Sequence, residues 1–132
     1  MTSGCRLQNA DCRLKLRQEL EARLLTFAAQ CMKLTGRLSR TIEGRYVSGQ
    51  LMRSSASAGA NYQEACAAES RADFAHKLQI VLKELRESEY WLKLMRCGAI
   101  IPESASTPLL TEAEQLVRIL AKSVITTKSR SG

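Results

Sequence analysis

Along the first third of the chain, Leu20, Leu24, Phe27, Cys31, Leu34 and Leu38 recur at alternating steps of four and three. That spacing keeps the six side chains on one stripe of an α-helix, as a helix buried along one face requires. It predicts a first helix over about residues 13–40, broken by the polar stretch around Gly44. The charged segment before Leu20 is expected to fray or to project beyond its neighbours. A second helix, about residues 46–69, follows from Leu51, Ser55, Ala58, Tyr62 and Ala65. Its centre, Ser54-Ser-Ala-Ser-Ala-Gly-Ala60, is seven small residues in a row, several of them poor helix formers. An isolated peptide of this composition would not stay helical, but small side chains let a neighbouring helix approach closely enough to hold it. The rival reading is a phosphate-binding loop; it requires GxxxxGK[ST] after a strand, and the chain has neither.

The third helix, about residues 71–97, carries the clearest period: Phe74, Leu78, Val81, Leu85, Ser88, Leu92 and Met95. Ser70 is placed to cap its start, Asp73 supplies an acid in the first turn, and Gly98 is placed to end it. Pro102 and Pro108 then mark a loop. Thr111-Glu-Ala-Glu114 has the form of a capping box that opens a fourth helix over about 111–126, with the last residues polar and loose. Its arc of Leu116, Val117, Ile119, Leu120, Val124 and Ile125 is wider than one buried stripe needs. Four amphipathic helices with short connections and no strand-like alternation predict one all-α domain, an antiparallel up-down-up-down four-helix bundle spanning residues 1–132.

Composition agrees with this. Hydrophobic residues make up 45% of the 132-residue chain and aromatics only 5%, which suits helices packed through aliphatic side chains. Five scattered cysteines without a CxxC pair argue against a disulfide framework and for a reducing compartment. No signal-like apolar stretch opens the chain, and no apolar run approaches the ~20 residues that span a bilayer. The expected location is the cytoplasm, with no membrane partner. The net charge of +7 attracts polyanions, although a positive charge also simply keeps a protein soluble.

Candidate chemistry is sparse. The single histidine, His76, stands on the third helix with no cysteine at ligand spacing, so neither a Ser-His-Asp assembly nor a zinc site is expected. A di-iron bundle site needs two Glu-x-x-His motifs, which one histidine cannot supply. Cys31 reads as a small core residue, and Cys66 likewise; Cys5 and Cys12 receive no role. No catalytic residue, metal or cofactor is expected. Trp91 lies beside the third stripe, either at the edge of the core or at a subunit contact.

Specific residues carry a family resemblance. Gln50-Leu-Met-Arg-Ser54, Ser57 and Ala60-Asn-Tyr-Gln-Glu-Ala65 continue through Ala68-Glu-Ser-Arg-Ala-Asp-Phe74, Lys77-Leu78, Leu82-Lys-Glu84, Glu87 and Tyr90-Trp-Leu92. This order of residues resembles the bacterial four-helix bundle proteins encoded in 23S rRNA intervening sequences. Where some relatives carry proline, this chain has Gly59. The resemblance is strong over about residues 46–95 and rests on pattern alone in the outer helices. It implies an antiparallel bundle that assembles as a homopentamer. More distantly, the chain is similar to the accessory variability determinant proteins of diversity-generating retroelements, which implies association with nucleic acid and a reverse transcriptase. The resemblance carries over no catalytic residues.

Two surfaces follow as expectations. Residues 1–45 hold 9 basic and 4 acidic residues, so this segment carries +5 of the +7. At about 100° per residue, Lys15, Arg23, Lys33, Arg37 and Arg40 share one flank of the first helix, interrupted only by Glu19. Arg23, Lys33, Arg37 and Arg40 are the expected phosphate contacts for RNA or DNA. Ile80, Trp91, Leu116 and Ile119, beside the third and fourth stripes, are the expected subunit contacts of a homo-oligomer. The expected function is a non-enzymatic, nucleic-acid-associated accessory protein; the alternative is a protein–protein scaffold whose charge is incidental.

Overall fold

The computed structural model describes residues 2–38 and 40–131, with side chains described over 10–38 and 40–130. Four helices follow one another: α1 (Thr2–Thr35), α2 (Ile42–Cys66), α3 (Arg71–Cys97) and α4 (Glu103–Ser131). α2 packs on α1 and α3, and α4 packs on α3 and more lightly on α1. This is the antiparallel up-down-up-down four-helix bundle. The core stripes fall where the periods put them. Leu24, Phe27 and Cys31 of α1, Leu51, Ala58, Tyr62 and Ala65 of α2, and Leu78, Val81, Leu85, Leu92 and Met95 of α3 are all buried.

The boundaries of α1 and α2 differ from expectation. α1 ends at Thr35 rather than near Arg40. The Gly36 and Leu38 amides donate to Met32 and Thr35 carbonyls at 3.0 Å, which tightens the last turn and closes the helix. Gly44 does not break α2 but lies in its first turns. Thr41 caps the helix by accepting a 2.9 Å hydrogen bond from the Gly44 amide. A Cβ at Gly44 would collide with the Leu38 carbonyl oxygen and come within 2.8 Å of Thr41 Oγ1. Glycine is there because the connection folds back onto the helix start, and this is the signal that looked like a helix break.

The run of small residues is a contact surface. Ser54, Ser55 and Ala58 are buried, and Ser54 Oγ lies 2.8 Å from Ser88 Oγ of α3. On the other side, a Cβ at Gly59 would touch Leu24 of α1 at 3.7 Å. α2 is therefore pressed between α1 and α3, and it runs unbroken through Gly59. Packing against both neighbours outweighs the poor intrinsic propensity of the run.

α3 starts as expected, with Ser70 Oγ accepting from the Asp73 amide at 3.1 Å. Its end is different in detail. Gly98 has φ −80°, and the left-handed residue is Ala99, at φ 56°. The Ile100 amide donates to the Met95 carbonyl at 2.9 Å and Ala99 to Arg96 at 3.1 Å, the two bonds of a Schellman closure. α4 is longer than predicted at both ends. It opens at Glu103, with Ser106 donating to the Pro102 carbonyl at 3.2 Å, and it contains Pro108. Pro108 deprives the Ser104 carbonyl of its helical donor, but both residues are exposed and water can serve instead. Burial of Leu109 and Leu110 holds these extra turns, about two of them, in the bundle. Thr111-Glu-Ala-Glu114 thus lies inside α4 and caps nothing.

Candidate functional site

The expected basic flank of α1 divides into two groups. Arg23 is engaged: its guanidinium forms an ion pair with Glu112 of α4, Nε to Oε2 at 3.1 Å with a second, shorter contact, and also donates to Gln115 Oε1 at 3.1 Å. The Glu112 hydrogen bond raises the Arg23 pKa further above its already high ordinary value. Arg23 is a strut between α1 and α4, and its predicted role as a phosphate contact is withdrawn. Arg37 and Arg40 are not on a helical flank, because α1 has already ended; they project from the α1–α2 connection.

Lys33, in the last turn of α1, joins those two arginines at the same end of the bundle. All three are exposed and have no ion pair among the described residues. Up-down topology brings four helix termini to this end. They add Arg45 and Arg96, against Glu43 and Glu103. An open groove of about 750 Å³ is cut into it, walled by Arg37, Arg40 and Glu43, with Tyr46, Val47, Leu94, Ala99 and Ile100 among its apolar lining. A second, smaller groove of about 360 Å³ runs between α1 and α2, bordered by Leu25, Met32, Met52 and Ala60.

The four apolar positions expected at subunit contacts also separate. Leu116 is fully buried within this single chain, so it is not a surface residue. The α4 stripe passes through Ala113, Leu116 and Leu120, which puts Leu116 at its centre rather than beside it. Ile119 is partly buried and packs on the core. Ile80 is partly buried. Trp91 sits at the edge of the core, where its indole N–H donates to Glu87 Oε2 at 3.2 Å. More exposed apolar side chains lie elsewhere: Leu25, Met32, Tyr46, Tyr90 and Ile125. Tyr46 is not legible as a surface residue from a helix start placed at its own position, because α2 begins a turn earlier, and Tyr90 stands one residue further from the α3 stripe than Trp91. The signal for Leu25 and Met32 was present, since both are apolar and off the α1 stripe.

The remaining candidate side chains are not gathered into one site among the described residues. His76 is exposed on α3. Burial pushes the Cys31 thiol up to about 12, only partly offset by a hydrogen bond with Ser55. Burial also raises the Cys66 thiol. Cys12 and Cys97 are exposed, and the Cys5 side chain lies outside the described residues. Among the described residues no three His, Cys, Asp or Glu side chains are grouped to hold a metal ion. No described helix is long and apolar enough to cross a membrane.

Fold and site together define a small basic four-helix bundle with an open cationic end. The chain belongs to the 23S rRNA-intervening sequence protein family, which it matches over residues 19–122. Among solved structures it is similar to a protein of unknown function from the S23 ribosomal protein family of Bacteroides thetaiotaomicron. The two share 33% identity and a TM-score of 0.75, over 80% of this chain and 97% of that one. No curated protein matches it.

Proposed function

We propose that this protein is a non-enzymatic, self-associating accessory protein that binds nucleic acid at the Lys33, Arg37 and Arg40 end of its bundle. The observation that carries this reading is the concentration of exposed cations without acidic partners where four helix termini meet. Phosphates pair with such cations by releasing counterions, which needs no enclosed site and no base recognition. Family resemblance supports assembly as a homopentamer in the cytoplasm, and a ring of subunits would repeat the cationic end and multiply its field. The more distant similarity supports a protein partner as well, of the reverse transcriptase kind.

The test replaces Lys33, Arg37 and Arg40 together by Gln and titrates labelled RNA and DNA across a salt series. Weaker binding with a flatter salt dependence, at unchanged helicity and unchanged mass by light scattering, is the expected result. Equal binding by parent and variant would leave the end as a solubilising surface. A scaffold reading has its own support in the exposed Leu25 and Met32 beside the α1–α2 groove. It predicts that Leu25→Ser and Met32→Ser reduce the assembled mass while nucleic-acid binding is absent from the start.

A further inference from the structure

The cationic end continues into an aromatic surface. Tyr46 of α2 and Tyr90 of α3 are exposed, at 61% and 57%. Both pack nearly perpendicular to Trp91, with ring centroids 6.0 and 5.1 Å away. Trp91 is held in turn by Glu87, and Glu87 by an ion pair with Arg53 of α2. The two tyrosine rings are thus positioned in advance by a hydrogen-bonded neighbour and still open to solvent. Tyr46 and Leu94 also line the groove whose walls carry Arg37 and Arg40. On α3, Lys83, Arg86 and Tyr90 follow at steps of three and four, so one solvent-facing stripe leads from two cations that have no ion pair among the described residues to the second ring.

Exposed aromatic rings beside such cations suit one class of polyanion better than others. A duplex keeps the faces of its bases stacked inside, so it can use the arginines but not the tyrosines. A single strand offers both phosphates and free base faces. A second copy of this chain is a poorer fit, because a two-fold contact through this surface would bring Arg37, Arg40 and Arg86 of both copies together. Glu43 is the one acid on the groove wall and leaves the cations in excess.

We infer that Tyr46 and Tyr90, with Arg37, Arg40 and Arg86, form a binding surface for single-stranded nucleic acid, the tyrosines stacking on unpaired bases and the arginines holding phosphates. This rests on the nucleic-acid reading above and specifies its strand state.

The experiment uses the full chain, a labelled oligouridylate of about 15 nucleotides and a fully paired, blunt-ended RNA duplex of similar charge. Trp91 is the single tryptophan, so its fluorescence reports on this surface directly. The single strand is expected to quench Trp91 and the duplex to leave it nearly unchanged. Tyr46→Ala and Tyr90→Ala should each weaken oligouridylate binding by roughly 5- to 100-fold and leave duplex binding unchanged. Tyr46→Phe and Tyr90→Phe should restore parental binding, because the ring stacks and the hydroxyl does not. Oligouridylate binding that survives both alanine substitutions, with no quenching in the parent, overturns the inference; if the Lys33, Arg37 and Arg40 variant still loses affinity, the broader function reading stands. A parent that binds neither RNA overturns both. Tyrosine variants that change the assembled mass would show the face to be a subunit contact, which also overturns the inference.

Discussion

Ala99→Gly should make this protein more stable, although it removes a side chain. Ala99 closes α3 at φ 56°, a conformation that brings the Cβ of an L-residue against the following carbonyl at a cost of about 1–2 kcal/mol. Glycine carries no such penalty, but its greater freedom in the unfolded chain takes back roughly 0.5–1 kcal/mol. The hydrogen bonds of the closure, Ile100 to Met95 and Ala99 to Arg96, are made by backbone and survive the change. The net expectation is a gain of about 0.5–1 kcal/mol, or a rise of roughly 2–5 °C in Tm for a domain of this size. Ala99→Val supplies the opposite sign, since a β-branched residue tolerates this conformation least. The assay is thermal and urea unfolding followed by far-UV circular dichroism, with protein concentration held fixed because a self-associating protein has a concentration-dependent Tm. A glycine variant no more stable than the parent, together with a harmless valine, would refute the left-handed closure.

Three further outcomes test the packing. Ala58→Leu forces three extra carbons into a fully buried position and should cost about 1–3 kcal/mol in the same unfolding assay; an unchanged Tm would put the small-residue run at the surface. Arg23→Gln loses the α4 strut and should cost about 0.5–1 kcal/mol, the pair being partly exposed and screened, while RNA titration shows no loss of affinity. The Cys31 thiol is raised by burial from an ordinary 9.0 to about 12, so its neutral form stabilises the fold. That contribution is complete below pH 9 and is lost as the pH rises from there toward 12, because the unfolded thiol ionises first. Cys31→Ala should flatten the alkaline limb of stability against pH, and a variant with the parental slope would show that Cys31 does not drive it.

The stripes of α1, α2 and α3 were legible because burial along one helix face leaves a repeat of three and four that no loop imitates. Ser55, Ala58 and Ser88 show how far this extends: their positions in the period, not their hydrophobicity, placed them in the core. Helix ends were less legible, since they depend on tertiary contacts that local patterns mimic. Gly44 looked like a break because glycine is required there, yet the requirement comes from Leu38 folding back. Pro108 looked like a loop, and the capping-box form of Thr111-Glu-Ala-Glu114 reinforced the error, while burial of Leu109 and Leu110 decided the matter. The candidate site was legible in part. Lys33, Arg37 and Arg40 were found through charge, but the wheel that grouped them with Arg23 could not show that Glu112, distant in sequence, had claimed it.

The middle of α2 has a kinetic consequence. Ser54, Ser55 and Ala58 fill the space between α1 and α3 with little apolar surface of their own, so the middle of this helix gains little from either neighbour alone. α3 pairs most extensively with α2, while α3 and α4, also adjacent in sequence, interlock through larger Leu, Val and Met side chains; on side-chain size we expect the α3–α4 hairpin to form before α2 docks. Ala56→Gly and Ala60→Gly, both at exposed positions on α2, would then speed unfolding and leave the folding rate nearly unchanged, with φ values close to zero. The residues that carry the family resemblance lie in α2, in α3 and in the turn joining them, so on this expectation they line the seam that closes last, when α2 settles between its neighbours.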